Sequence, residues 1–395
     1  MVSGQWSVVS GQCSVKKVFY RELRRIQRKP RYTIILTVGI ALSFLFFATM
    51  TNEGQPQELP VAVVDLDGSY LSRRLCHEIN ATQAVNVVAV YGSHAEARSA
   101  MQQGKIFAFY EIPQGTYNQV LQFHAPTMVL YTNQSYLLAG SLSYKELTTI
   151  GKLAAGAVQR EVLRKKGMDE DQIMGRIQPI ELATHPIGNS KGSYHSYLLT
   201  TLVPGIIILM AMLQTAYVIG RERQEETLRS LMRAARGNAL RALVGKMLPY
   251  TIYYTLLLLI CSIIMYGPMH LPMEGSWPLL MLVSLLSVAA AQCAGCFLMG
   301  CVPDPSVAMS LTSAYGTLAF TMCGFSFPVD AMPHPMQAFS LLFPLRYYFL
   351  AMRDITLFAS GIGYIWPQLC CLTLFGLLLI IGAAMLQRQY ERRPQ

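Results

Sequence analysis

Charged residues are scarce in this sequence of 395 residues, because Asp, Glu, Lys and Arg together make up only 14% of it. Soluble domains carry roughly a quarter, so the composition excludes an ordinary soluble globular protein. Hydrophobic residues make up 52%, and six runs approach or exceed the roughly 20 residues that cross a hydrocarbon core as a helix. These runs are 32–50, 198–219, 247–266, 277–300, 307–324 and 366–386. The sequence therefore predicts an α-helical polytopic membrane protein with six transmembrane helices.

Cysteine is nearly missing from the long polar stretch 51–197, where Cys76 is the only one. This excludes an intrachain disulfide framework for that stretch. Cys293 and Cys296 form a Cys-x-x-Cys pair within a predicted span, with Ala294 and Gly295 between them. We interpret the pair as small residues that pack against a neighbouring helix, rather than as a redox motif.

Motifs for nucleotide hydrolysis and metal binding are also missing. No Gly-x-x-x-x-Gly-Lys-Ser/Thr motif occurs, so this chain is not expected to hydrolyse ATP. The seven histidines show no zinc-ligand spacing. We therefore predict no catalytic residue, no metal site and no cofactor bound by this chain.

Positive charge is concentrated at the predicted membrane ends. Of the 32 Lys and Arg residues, eight lie in 16–31, seven in 221–246 and three after residue 386. The positive-inside rule places these segments in the cytoplasm. Both termini are then cytoplasmic, and segment 51–197, with 12 basic and 13 acidic residues, lies outside. A nearly neutral external domain makes nucleic acid an improbable partner.

The first 30 residues divide into two parts. Residues 1–14 contain the near-repeat VSGQWSV and VSGQCSV, and their small polar composition predicts a disordered tail. Residues 15–30 show helical spacing of apolar residues opposite a basic face, which predicts an amphipathic helix on the cytoplasmic leaflet, in contact with lipid. Residues 31–50 follow as the first transmembrane helix, which is expected to stay as an anchor.

Segment 51–197 alternates strand and helix patterns and predicts an extracytoplasmic α/β domain. The expected elements are strands 60–65, 85–90, 106–112 and 127–131, and helices 69–80, 93–103 and a long 136–166. Residues 198–395 supply the five further transmembrane helices, with a cytoplasmic loop at 220–246 and an irregular outer segment at 325–348.

The stretch VAVVDLDGSY suggests a phosphatase nucleophile, because aspartyl phosphatases present Asp after an apolar strand. Such chemistry needs a second acidic strand end and a metal. The next acidic cluster after Asp65 and Asp67 is 169–171, which follows a helix pattern instead. We interpret Asp67-Gly68 as a turn and Ser69 as a helix cap, and keep a phosphatase-like enzyme or a receptor as the alternative.

The cytoplasmic loop contains Glu225-Glu226-Thr227-Leu228, Leu231 and then Gly245-Lys246-Met247-Leu248-Pro249-Tyr250. With the large domain after the first span, these motifs resemble the membrane subunits of type-2 ABC exporters. The family usually has Gly at the position of Glu226. The resemblance covers nearly everything after Ser14 and implies that the loop couples to an ATPase. The implied coupling residues are Arg221, Glu222, Glu225, Glu226, Thr227, Leu228, Leu231, Arg241, Gly245 and Lys246.

The segment CGFSFPVDAMPHPMQAFSLLFPLRYY is similar to the proline-rich series between the last two spans of the same family. Proline cannot continue a helix, yet the segment is too apolar for an open loop. Irregular backbone at membrane depth needs protein or water partners, so we predict a re-entrant pair of short helices in the outer leaflet. The predicted gate residues are Gly324, Phe325, Phe327, Pro328, Met332, Pro333, Pro344 and Tyr347.

The resemblance implies a permease subunit of a bacterial inner-membrane exporter for a hydrophobic or amphipathic substrate, of the multidrug efflux kind. The implied partners are a cytosolic ATP-binding-cassette ATPase that uses ATP and Mg²⁺, a second permease as a homodimer or similar pair, and a periplasmic adaptor. A proton-coupled transporter is a further alternative, although the spans hold few ionisable groups. Polar span residues are candidates for lining a central cavity or for packing between helices: Gln214, Gln292, Thr312, Ser313 and Tyr315.

Overall fold

The computed structural model describes residues 3–28, 31–52, 54–122, 124–178, 188–189 and 192–391. The chain divides into two compact units. The helical unit combines Met1–Asn52 with Pro186–Gln395, and the sheet unit is Glu53–His185.

Helices dominate the described residues. In chain order they are α1 Ser3–Arg28, α2 Arg31–Met50, α3 Tyr70–Asn80, α4 His94–Gln102, α5 Thr116–Leu121, α6 Leu137–Lys165, α7 Glu170–Ile177, α8 Tyr194–Gln224, α9 Leu228–Ala234, α10 Ala239–Tyr266, α11 Trp277–Cys301, α12 Pro305–Met322, α13 His334–Ser340, α14 Pro344–Phe358, α15 Ile362–Leu374 and α16 Gly376–Glu391. A 3-10 turn, Val329–Ala331, precedes α13. The strands are β1 Leu59–Asp65, β2 Val85–Tyr91, β3 Ala108–Ile112 and β4 Val129–Thr132.

Five segments within the described residues are long and apolar enough to cross a membrane: α2 from Thr33, α8, α10, α11 and the pair α15–α16. Together with the small sheet, they make the chain a polytopic helical membrane protein. The sixth predicted span, 307–324, coincides with helix α12. This helix interleaves Ser and Thr with its apolar residues, which lowers its hydropathy, so α12 is not among the five.

The helical unit is held together by close helix packing. Its main core is built from α8, α10, α11 and α14. Cys293 and Cys296 of α11 are buried free thiols, and a Cβ on the adjacent Gly295 would lie 2.7 Å from the carbonyl oxygen of Met212 on α8. This close approach confirms that the Cys-x-x-Cys segment packs against a neighbouring helix.

The sheet unit has the strand order β2-β1-β3-β4, in which the first three strands are parallel and β4 is antiparallel to β3. Val61 and Val63 of β1 face a core with α3 and α6. Ala62 and Val64 face the opposite core with α4. Because both faces of β1 are covered, its sequence is an unbroken apolar run.

Most predicted elements of the sheet unit are present within a few residues of their predicted bounds. The short helices α5 and α7 were not predicted. Helix α5 has six residues, too few for a periodic signal. In α7, Asp169 stands at the N-cap position without a side-chain hydrogen bond, and Glu170 and Asp171 occupy the first turn, where carboxylates interact favourably with the helix dipole.

The N-terminal helix also differs from expectation. Helix α1 begins at Ser3, inside the predicted disordered tail 1–14. At the end of this stretch, Ser14 is fully buried, and its Oγ donates a hydrogen bond to the carbonyl oxygen of Ala234 at 3.4 Å.

Candidate functional site

The predicted cytoplasmic loop folds as the end of α8, the short helix α9 and the start of α10. Two turns with left-handed residues separate these helices, at Glu226 with φ 56° and at Arg236-Gly237 with φ 56° and 74°. The Asn238 side chain then caps α10 by accepting a hydrogen bond from the backbone N–H of Arg241 at 3.1 Å. We call residues 220–246 the coupling segment.

Glu226 occupies a backbone conformation that favours glycine, because a Cβ there crowds the following carbonyl oxygen. This geometry would accommodate the Gly that the resembled family usually carries at this position. The chain makes the same turn with Glu226, at a cost of about 1 kcal/mol or more.

The apolar stripe of α9 faces the inside of the chain. Leu228, Leu231 and Met232 are each less than 5% exposed and share a core with Val18 of α1 and Leu243 of α10. Leu228 and Leu231 were predicted to touch an ATPase directly. Their burial contradicts this, because the chain's own α1 and α10 already cover the stripe.

The opposite face of α9 and its flanking turns is exposed and mainly basic. Its exposed residues are Glu225, Glu226, Arg229, Ser230, Arg233 and Arg236. Glu225 is tied to the end of α8, because Arg221 Nε donates to its carboxylate at 2.6 Å. This exposed coupling face is the part of the segment that a partner can reach.

A buried ion cluster lies beneath this face, at the junction of α1, α8 and α10. Lys246 Nζ donates to Glu22 Oε2 and to Glu222 Oε1, each at 2.8 Å. Tyr250 donates its hydroxyl proton to the other oxygen of Glu22 at 3.0 Å. The side chains of Lys246, Glu22 and Glu222 are at most 1% exposed, so water screens these contacts very little.

Arginines of α1 complete the cluster at its rim. Arg21 and Arg25 donate to Glu222 at 3.1 Å and 2.5 Å, and Arg25 also pairs with Glu225. Thr227 donates its hydroxyl to Glu222 at 2.5 Å. Together with Arg221, which also holds Glu225, four cations surround three carboxylates. Each buried carboxylate therefore has a cationic partner, which is the condition under which charges remain stable when they are removed from water.

Gly245 allows α1 to approach closely enough for these contacts. A Cβ at this position would lie 2.8 Å from Val18 Cβ and 2.9 Å from the carbonyl oxygen of Val15. Any other residue there would push α1 away from α10, so the predicted Gly245-Lys246 pair has a structural explanation.

The predicted irregular segment 325–348 contains the 3-10 turn, α13 and the start of α14. Gly324 begins it in the left-handed region with φ 88°. Tyrosine hydroxyls then satisfy its carbonyl groups: Tyr315 donates to Leu342 at 2.5 Å and Tyr347 to Leu341 at 3.0 Å, and Tyr197 donates to Phe325. Side-chain donors therefore satisfy three carbonyl groups of this irregular segment.

The remaining predicted gate residues fall into two groups. Pro344 and Tyr347 are buried at the start of α14, where they pack as part of the helical unit. Phe327, Pro328 and Pro333 are exposed on the turn before α13, whereas Phe325 and Met332 are half-buried there.

Most predicted cavity residues pack between helices. Gln292 and Thr312 are fully buried, and Gln292 Oε1 accepts a hydrogen bond from Thr251 at 2.6 Å. Gln214 lies beside Tyr250 at a cavity of only about 20 Å³. Tyr315 donates its hydrogen bond to a carbonyl group of the irregular segment. Ser313 alone is exposed, on α12.

The two aspartates of the VAVVDLDGSY stretch have structural partners. Asp65 Oδ1 accepts the backbone N–H groups of Asp67 and Gly68 at 3.1 and 2.8 Å, and Asp67 accepts those of Gly115 and Tyr117 at 2.8 and 3.1 Å. No metal-binding cluster of His, Cys, Asp or Glu exists among the described residues. These contacts support the turn and cap interpretation.

Residues 31–385 match the family described as ABC-2 family transporter protein. The chain belongs to this ABC-2 family. Three Escherichia coli K12 relatives are similar over most of their length. The inner membrane transport permease YhhJ is 22% identical over 90% of this chain and 92% of YhhJ. The probable multidrug ABC transporter permeases YbhR and YbhS are 21% and 20% identical, over 88% and 87% of this chain and 91% and 88% of their own.

The predicted coupling residues of this ABC-2 permease subunit thus lie within the coupling segment. Half of the ion cluster, however, was not predicted from the sequence. The residues not predicted as site residues are Arg21, Glu22, Arg25 and Tyr250. Glu22 carries a readable signal: it is the one acidic residue of a basic segment, and it lies on the apolar stripe four residues after Val18 and four before Ile26. A charge on the buried stripe of a helix indicates a buried partner.

Proposed function

We propose that this ABC-2 permease moves a hydrophobic or amphipathic substrate out of the cytoplasm or the inner membrane, driven by a separate cytosolic ATP-binding-cassette ATPase that uses ATP and Mg²⁺. The observation that carries the proposal is the ion cluster beneath the exposed coupling face. It ties α8, α10 and α1 to the segment on which an ATPase would act.

A force applied to the coupling face would be transmitted directly to the membrane helices. The turn at Glu226 joins α9 to α8, and Glu222, the last buried carboxylate of α8, is held by Lys246 of α10 and Arg25 of α1. A movement of α9 therefore displaces three helices together rather than bending one of them. Such rigid displacement of packed elements is how domain movements are transmitted.

The proposed topology has six spans, with α12 as the fifth, both termini in the cytoplasm and the sheet unit outside. The basic clusters at 16–31, at 221–246 and after 386 support this orientation. The relative YhhJ is named an inner membrane protein, which supports the same location here. Irregular segment 325–348 would then lie in the outer leaflet as a re-entrant gate.

A second permease is proposed to pack along α12. Five hydroxyl residues follow one another at helical spacing on its exposed side: Ser306, Ser310, Ser313, Thr317 and Thr321. Ser310, Thr317 and Thr321 donate to carbonyl groups of their own helix, so their small side chains leave a shallow face, and Ser and Thr are enriched where membrane helices meet. By contrast, the exposed residues of α2 are mostly large and apolar, which suits contact with lipid.

Copurification tests the ATPase partner. We expect an ATP-binding-cassette ATPase expressed from a neighbouring reading frame to purify with the permease. The double variant R229E/R233E should lose it, because it reverses two charges on the coupling face. The matched control, Arg98→Glu, changes an exposed arginine of the sheet unit and should retain the ATPase. Equal loss in both variants, or no ATPase with the unmodified chain, contradicts the proposal.

Transport into inverted vesicles tests the substrate class. With the ATPase present, ATP should drive uptake of an amphipathic dye such as ethidium. Uptake confined to hydrophilic solutes contradicts the proposed substrate, and uptake that depends on a proton gradient alone favours a proton-coupled transporter.

A further inference from the structure

Helix α1 has an exposed basic side that takes no part in the ion cluster. Its other side carries the buried Val18 and Glu22 and packs against α10, where a Cβ at Gly245 would lie 2.8 Å from Val18. The exposed side follows the helical period and consists of Lys16, Lys17, Tyr20, Arg24, Gln27 and Arg28. We call these six residues the basic stripe.

The four cations of the stripe are not compensated by the described part of the chain. None of the ion pairs there includes one of them, whereas Arg21 and Arg25, which lie nearer to α10, both pair with Glu222. Glu22 is the one acidic residue of α1, and it is buried. The stripe therefore presents four positive charges without a negative charge of its own helix.

An apolar edge borders the basic stripe. Phe19 and Leu23 lie four residues apart and are half-buried, and the Phe19 ring contacts the ring of Tyr20 with centroids 5.6 Å apart. Tyrosine suits a boundary between an apolar phase and water, because its ring is apolar and its hydroxyl is polar. A basic face beside an apolar edge, with tyrosine between them, is typical of a helix at the surface of a bilayer.

The connection to α2 keeps the stripe close to a membrane. Two residues separate Arg28 at the end of α1 from Arg31 at the start of α2, and α2 is apolar enough to cross a bilayer from Thr33 onwards. Basic clusters directly beside a membrane span attract anionic lipids. An acidic protein would match the charge of the stripe alone, whereas a lipid matches both the charge and the apolar edge.

We propose that the basic stripe binds anionic phospholipids. Their phosphate groups lie at Lys16, Lys17 and Arg24, and the first part of their acyl chains lies along Phe19 and Leu23. The bound class is a glycerophospholipid with a net negative head group, such as phosphatidylglycerol. The stripe is separate from the ion cluster, so its occupancy can be measured without an ATPase.

Fluorescence quenching of the full-length permease in phosphatidylcholine nanodiscs tests the site. Tyr20→Trp places an indole ring within the stripe, and the unmodified chain gives the signal of the native tryptophans, which is subtracted. Brominated phosphatidylglycerol or brominated phosphatidylcholine is then included as a minor component, and the ratio of their quenching measures local enrichment. We expect phosphatidylglycerol to quench at least about fivefold more effectively, the effect of one basic residue near an anionic surface. Equal quenching by the two lipids overturns the proposal.

Two charge-matched triple variants make the test specific. In the Tyr20→Trp background, K16Q/K17Q/R24Q removes three charges of the stripe and should bring the quenching ratio close to one. The control R98Q/K105Q/K152Q removes three exposed positive charges of the sheet unit and should leave the ratio unchanged. Thermal unfolding checks that both are folded. An unchanged ratio in folded K16Q/K17Q/R24Q overturns the proposal, and so does an equal loss in both variants, because net charge would then attract the lipid.

The ATPase is the competing occupant of a basic surface. We expect K16Q/K17Q/R24Q to copurify with the ATPase as well as the unmodified chain does. Loss of the ATPase with an unchanged quenching ratio assigns the stripe to a protein partner and overturns the proposal. If no ATPase purifies with the unmodified chain, the proposed function fails, and the quenching ratio still decides whether the stripe binds lipid.

Discussion

Replacing Lys246 by Met removes the one buried cation that lies between two buried carboxylates. Lys246, Glu22 and Glu222 are at most 1% exposed, so solvent cannot screen the charges that remain. Removing one partner of such a buried pair costs about 3–5 kcal/mol. We expect Lys246→Met to lower the thermal unfolding temperature of the purified permease clearly, whereas Lys152→Met, an exposed change in α6, should leave it unaltered.

The two carboxylates should differ in how they respond. Glu222 keeps Arg21, Arg25 and Thr227 as donors, whereas Tyr250 is the only other side-chain donor that the described contacts give to Glu22. Most of the cost of Lys246→Met therefore comes from Glu22.

A double-mutant cycle separates these contributions. Adding Glu22→Gln to Lys246→Met should recover most of the lost stability, since it neutralises the carboxylate with the fewest remaining partners. Adding Glu222→Gln should recover less, because it leaves Arg21 and Arg25 without their shared acceptor. A loss below about 1 kcal/mol for Lys246→Met, typical of exposed pairs, or equal recovery from both additions, would refute this reasoning.

Three further changes test the surrounding geometry. Gly245→Ala places a Cβ 2.8 Å from Val18, and this overlap should destabilise the permease by about 1–3 kcal/mol, measured by thermal unfolding. Glu226→Gly should leave the unfolding temperature unchanged or raise it, because the turn has φ 56°. Glu226→Val should lower the unfolding temperature, because a β-branched residue is strained there. Similar unfolding temperatures for both variants would contradict the assigned turn. Tyr315→Phe removes the donor to the Leu342 carbonyl and should cost about 1 kcal/mol, and hydrogen exchange should rise in the peptide containing that segment.

The sequence predicted best those features that depend on neighbouring residues. The strand before Asp65 and the cap at Ser69 are local, and Ser69 Oγ accepts from the backbone N–H of Ser72 at 3.2 Å as expected. Features that depend on distant residues were not predictable in the same way, because a periodic pattern gives the face of a helix but not what covers it.

Helix α9 illustrates this limit. Leu228 and Leu231 were predicted to belong to the surface that couples to an ATPase, whereas α1 and α10 of the same chain cover them. The ion cluster has the same origin, because Lys246 and Glu22 are 224 residues apart in the sequence. From the sequence alone, the one sign of the cluster was that Glu22 is an acidic residue on the apolar stripe of a basic helix.

The sequence distance between Glu22 and Lys246 has a consequence for biosynthesis. At about 5–20 residues per second, roughly 10–45 s separate the emergence of these two residues from the ribosome. During that interval Lys246 does not yet exist to pair with Glu22, so the Glu22 carboxylate has to stay in contact with water or other cations. Helix α1 can therefore reach its final place only after the start of α10 has been synthesised, although the two lie side by side in the folded permease.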